Sequence, residues 1–222
     1  MESTALPGLE RLMNVCQRLS LRLETLPPAR EPLKAGRPLE GLPFDPVLAS
    51  IYARLGHARF ATGLGSVGLI LERSDDQMHE LEEENRRWGA RWREELGEPM
   101  IVFGCDLYIY ATVPRLADER GRQPVVQVDT YEEPYALPVA SNVDRFFDTY
   151  SRYLEAVVAD PDYQRKGDSD LLFPWHATEL LARDERLVEL MRAGCFDSLM
   201  KSVMTSDVTR RWFEKVTGSA PG

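Results

Sequence analysis

The sequence predicts an α+β fold, and three observations carry that prediction. Met100–Val113 reads as two short apolar strands around a turn at Gly104, Cys105 and Asp106, the outline of a β-hairpin. Val125, Val126 and Val128 make a third strand. The chain then turns helical: Val143, Phe146, Phe147, Tyr150, Leu154, Val157 and Val158 share one face, and Ser141 with Asp144 has the spacing of a capping box. At 222 residues, 43% hydrophobic and 28% charged, the chain can bury a core without covalent staples.

Taken in order, Leu9, Leu12, Met13, Cys16, Leu19, Leu23 and Leu26 recur at spacings of three and four, which predicts a helix stopped by Pro27 and Pro28. A proline-rich connector with Pro32, Pro38 and Pro43 follows. Asp45 before Pro46 marks a helix start, with Val47, Leu48, Ile51, Tyr52 and Leu55 on one face and Gly56 at the end. Phe60–Thr62 and Val67–Leu71 read as a hairpin. Gly63, Gly65 and Gly68 are turn glycines, because no Lys follows at phosphate-loop spacing and no dinucleotide fingerprint opens a helix.

Ser74 with Gln77 predicts a capped helix running to about Leu96. Its apolar stripe is sparse, and ten acids stand against five arginines between Glu72 and Glu98. That face reads either as solvated i,i+4 pairs or as an acidic docking ridge. The segment Tyr131-Glu132-Glu133-Pro134-Tyr135 and the residues up to Pro138 read as an irregular loop. Residues 162–170 form a polar break, and the rest is helical in composition, with Trp175 and Trp212 as core fillers or interface aromatics. The chain thus divides into an N-terminal helix and connector (1–41), an α+β unit (42–160) and a helical C-terminal extension packed on it (161–222).

Composition narrows the function. A formal net charge of -9 argues against a nucleic-acid partner and for a basic protein or cationic surface. Three distant cysteines, Cys16, Cys105 and Cys195, predict a reducing, cytoplasmic setting. No signal peptide and no membrane span are expected from the apolar runs.

The sequence carries no hydrolase elbow, no HExxH and no cofactor motif, and no cofactor is expected. His57, His79 and His176 are not paired with cysteine at metal spacing, although His176 and Glu179 share a helical spacing. Asp106, Asp129, Glu132, Glu133 and Asp144 could gather at one sheet end around a divalent ion. A metal-dependent hydrolase built on Asp106, Asp129 and Asp144 is the enzymatic alternative.

The order of parts carries a resemblance. Leu42, Pro43, Tyr52 and Gly56 are followed by Phe103, Gly104, Asp106 and Tyr108, then by Ala140, Ser141, Phe146, Phe147 and Tyr150. Over about 42–158 the chain resembles the SUKH superfamily, the Smi/Knr-like proteins. The resemblance implies a mainly antiparallel β-sheet flanked by helices, and a binding role rather than catalysis. Bacterial members are commonly immunity proteins that neutralise a polymorphic toxin by direct binding; fungal relatives are regulatory hubs of cell-wall synthesis. The expected function is an immunity protein, with a regulatory or scaffold protein as the alternative. Expected partner contacts are Asp75, Asp76, Glu80, Glu83 and Glu84 on the charged helix and Tyr131, Glu132, Glu133 and Tyr135 on the loop, facing a basic toxin domain.

Overall fold

The sheet is built by hairpin-like succession. In the computed structural model, which describes residues 5–62, 67–72, 80–106, 108–131, 133–167 and 169–218, seven strands pair antiparallel throughout. They are β1 (Arg22–Leu26), β4 (His57–Thr62), β5 (Val67–Leu69), β6 (Ile101–Asp106), β7 (Ile109–Thr112), β8 (Val125–Asp129) and β9 (Tyr135–Ala140), in that spatial order. A separate two-stranded pair, β2 (Pro38–Leu39) and β3 (Leu42–Pro43), lies in the connector. Among the described residues the helices are α1 (Pro7–Arg18), α2 (Pro46–Tyr52), α3 (Leu81–Glu95), α4 (Val143–Ala159), α5 (Pro161–Lys166), α6 (Thr178–Leu181), α7 (Glu185–Arg192), α8 (Asp197–Met200) and α9 (Asp207–Thr217). The fold is therefore α+β with an antiparallel sheet, as the sequence predicts. None of the described helices is long and apolar enough to cross a membrane.

Several element boundaries depart from the sequence reading. The first helix ends at Arg18, not near Pro27. Ser20 adopts a left-handed φ of 54°, and residues 22–26 leave the helix to pair with β4. Leu23 and Leu26 continue the leucine spacing by coincidence. The segment before residue 41 is thus woven into the main sheet. Helix α3 begins at Leu81, with Glu80 extended at its N-cap and bridged to Leu71. The proposed start at Ser74 lies outside the described residues. Strand β6 runs through Cys105, which the sequence reading puts in a turn. The span read as loop up to Pro138 contains β9. Pro138 is tolerated there because β9 pairs only with β8, so its missing N–H faces away from the ladder. The polar break contains the short helix α5, capped by Asp160.

Buried carboxylates act as joints. Asp45 caps α2 by accepting from Val47 and Leu48 N–H at 2.7 and 2.9 Å. Its other oxygen accepts from Gln123 N–H at 2.7 Å. Gln123 in turn donates to the Pro43 carbonyl and accepts from the Thr112 hydroxyl, so one buried amide ties α2, β3 and β7 together. The expected capping box at Ser141 does not form. Asn142 caps α4 through Arg145 N–H, which frees Asp144 to accept from Gly8 and Leu9 N–H at 3.1 and 3.0 Å. Helix α1 has Leu6 at its N-cap and no side-chain cap of its own. Asp144 supplies the missing acceptors from a neighbouring helix. Arg11 and Arg18 of α1 both pair with Glu155 further along α4.

The backbone of β6 has a comparable device. Val102 N–H and C=O have no strand partner on the β5 side beyond Phe103. The Asn85 amide accepts from the N–H at 2.8 Å and donates to the C=O at 2.9 Å. Asn85 is 2% exposed, so its amide stands in for a missing strand where water cannot reach.

Two glycines predict opposite outcomes for one substitution. A Cβ on Gly8 would lie 1.9 Å from the Asp144 carbonyl oxygen, so Gly8→Ala must push α1 off α4 and should cost about 2–3 kcal/mol in urea unfolding. Gly89, inside α3, faces open space. Gly89→Ala should stabilise by about 1 kcal/mol through helix propensity alone.

Burial pushes the Asp45 carboxyl up to about 6, against the pull of its three N–H donors. In the unfolded chain it titrates near 3.8. Between those values the folded state holds the extra proton, so this group's contribution to stability falls as pH rises. Relative to Asp45→Asn, the natural protein should lose up to about 3 kcal/mol from pH about 4 to about 6, then level off. Urea midpoints of both proteins across that range measure the difference.

Candidate functional site

Strands β8 and β9 end in a cleft that gathers part of the predicted loop. Asp129, the last residue of β8, pairs in register with Tyr135, the first of β9. Gln127 shares a face with Asp129 by strand alternation and pairs with Tyr110, whose ring packs on Phe146 of α4 at 4.8 Å. The cleft therefore opens on the sheet face that carries α4. Asp129, Tyr131, Glu133 and Tyr135 line it from one side, and Ser202 and Val203, just beyond α8, close the other. Its volume is about 440 Å³.

The carboxylate of Asp129 organises this corner. It accepts from Tyr131 N–H at 2.9 Å, an Asx turn that sets the loop's direction. It also accepts from the Tyr135 hydroxyl at 3.1 Å. Burial, then the nearby Asp129 charge, pushes the Tyr135 phenol well above its ordinary value, and the same two causes raise Tyr108. Both phenols stay protonated. Ser202 Oγ–H donates to the Pro134 carbonyl at 3.5 Å, tying the loop to the C-terminal helices. Tyr131 stands 85% exposed at the rim, and Glu133 is exposed beside it.

Of the residues predicted for partner contact, the structure brings Tyr131, Glu133 and Tyr135 together here. Glu132 lies outside the described residues, as do Asp75 and Asp76. Glu83 is exposed on α3, and Glu80 sits half-buried at its N-cap. Glu84 is no rim residue. It is 9% exposed and accepts from Trp88 Nε1–H at 2.7 Å. Trp88 stacks on Trp92 at 5.6 Å and carries the guanidinium groups of Arg87 and Arg91 over its ring at 5.3 and 5.4 Å. Arg91 also pairs with Glu95 at 2.8 Å. Glu84, Arg87, Arg91 and Glu95 thus pair within the helix, while Arg86 reaches out to Glu40.

The proposed carboxylate triad for a metal is not assembled. Asp129 is opposite Tyr135 at one end of the β8–β9 pair, whereas Val125 and Ala140 mark the other end, next to α4 and Asp144. Asp144 is engaged with α1, and the Asp106 side chain lies outside the described residues. Among the described residues no three His, Cys, Asp or Glu are grouped to hold a metal ion. His176 spends Nδ1 accepting from Leu172 N–H at 2.9 Å. Trp212 is core, its Nε1–H donating to the Pro174 carbonyl, with Trp175 edge-on at 5.9 Å.

Sequence reasoning named Asp129 only as a candidate metal ligand and read neither Ser202 nor Val203 as part of a site. Asp129 carried a local signal, since an Asp two residues before the loop tyrosine is an Asx-turn spacing. Ser202 and Val203 carried none, being brought in by α8 packing against β9. An arginine-rich cleft of about 550 Å³ lies near the other end of β8, lined by Arg120, Arg122 and Arg186 with Asp118 and Glu119.

The chain matches no family model, no curated protein and no solved structure.

Tyr135→Phe removes the hydroxyl donor to Asp129 without changing the ring. It should cost about 1 kcal/mol in urea unfolding and leave the far-UV spectrum unchanged. A loss of several kcal/mol would instead make this contact part of the core.

Proposed function

We propose that this chain is a non-catalytic protein-binding protein that engages a basic partner through the β8–β9 cleft. Its role is that of an immunity protein that neutralises a toxin by covering it. The observation that carries the reading is Tyr131: a large aromatic left 85% exposed at the rim of a cleft holding Asp129 and Glu133. Tyrosine offers contact area at little entropic cost, and carboxylates around it complement a cationic surface. The resemblance to SUKH proteins over about 42–158 supports the same class of role.

Co-purification with the product of the adjacent gene, and protection of cells from it, test the reading. Tyr131→Ala should weaken capture by about 30-fold, the effect of removing an interface hot spot. Glu83→Gln, an exposed charge on α3 outside the cleft lining, should change it less than about threefold. Full protection by Tyr131→Ala would refute the cleft as the contact; absence of any capture and protection would refute the immunity role.

A further inference from the structure

We infer that the β8–β9 cleft is an arginine receptor, taking one guanidinium of the partner between its tyrosines and carboxylates. The inference rests on the reading that this cleft is where a basic protein docks.

Three features argue for a cation, and for a flat one. First, among the described residues the lining holds Asp129 and Glu133 but no lysine, arginine or histidine. Among the described residues neither carboxylate forms an ion pair within the chain, whereas Asp118, Asp148, Asp162, Glu155 and Asp207 all do. Second, Asp129 is preorganised. Tyr131 N–H fills one site on Oδ1 and the Tyr135 hydroxyl one site on Oδ2. A carboxylate oxygen has two acceptor sites, so each keeps one for an incoming donor. Third, the lining includes two phenol rings and an aliphatic side chain. The rings of Tyr131 and Tyr135 offer π-faces, and Val203 offers a surface for the methylene stem of a long side chain.

These features distinguish arginine from lysine. A guanidinium is planar, weakly hydrated and forked, so it can stack on a phenol ring while donating to Asp129 and Glu133 together. An ammonium is a compact, strongly hydrated charge that uses only the carboxylates. The cleft, at about 440 Å³, falls within the range of sites that hold a side-chain-sized group, roughly 300–1,000 Å³.

The test is an NMR titration of the full chain, with carbon-labelled tyrosine rings, against Nα-acetyl-arginine amide and the lysine equivalent. Tyr131 and Tyr135 should shift with arginine, with a dissociation constant on the order of 1 mM. Lysine should bind at least about threefold more weakly. Tyr163, on α5, should not move. Glu133→Gln, a change at an exposed residue, should weaken arginine by about fivefold.

Equal response to lysine, shifts that survive Glu133→Gln unchanged, or no shift at Tyr131 and Tyr135 would each overturn the inference. Sedimentation supplies a further outcome. Self-association that is lost in Tyr131→Ala would overturn a foreign partner as the occupant, because the guanidinium would then come from the arginine-rich cleft of a second copy. Partner capture that persists while the arginine titration fails overturns the arginine receptor alone. An arginine titration that succeeds while no partner is captured or neutralised overturns the proposed function alone.

Discussion

Phe146 is the ring on which the two halves of the fold meet. It lies on α4 and touches Phe103 of β6 at 6.1 Å, Tyr110 of β7 at 4.8 Å, and Phe147 and Tyr150 of its own helix at 5.4 and 5.8 Å. Phe173, from the segment after α5, closes the cluster at 6.1 Å. Phe147 extends it to Phe60 of β4 at 5.6 Å. Sheet centre, long helix and C-terminal segment therefore share one continuous aromatic body. Such rings contribute both buried area and tilted or edge-on contacts. The rim of the sheet is fixed in position because its centre cannot slide.

Around this apolar centre, the chain uses buried polar groups as connectors. Asp45, Gln123, Asn85 and Asp184 are each at most 4% exposed, and each satisfies backbone groups on a distant segment. Asp184 caps α7 and accepts from Ser141 N–H, so the C-terminal helices are pinned to the start of α4. An unpaired buried N–H costs about 1–3 kcal/mol, so these contacts select one arrangement of the segments. The acids that remain in the β8–β9 cleft are differently placed. Asp129, at the end of β8, is braced by its loop, and Glu133, in the connection to β9, is open to solvent. A binding group held this way loses little freedom when a partner arrives.

Much of the architecture is legible in local chemistry. Asp45–Pro46 and the apolar face of α4 declare themselves, because a cap and a helical stripe are short-range signals. Strand β1 does not, because Leu23 and Leu26 extend the spacing of α1 past the left-handed Ser20. Strand β9 hides behind Pro138, whose cost vanishes only at a sheet edge. The role of Asp144 is illegible for a further reason: its spacing fits a local capping box, while its partners are about 135 residues away. In the cleft, Tyr131, Glu133 and Tyr135 stand out as a polar-aromatic run. Ser202 and Val203 join them only through tertiary packing, which no periodicity encodes.

The clasp between Asp144 and α1 bears on how the chain is made. During synthesis α1 emerges well before α4, yet the acceptors for its first turn and the glycine-sized seat beside them belong to α4. Until that helix has been synthesised, α1 has no berth, and β1 waits on β4 for its own pairing. Helix α1 is thus translated well before its seat and docks only once α4 has been made. Non-local closures of this kind slow folding and leave apolar surface uncovered on the nascent chain. Leu9, Leu12, Val15 and Cys16, all buried in the finished protein, are the side chains that a chaperone would meet in that interval.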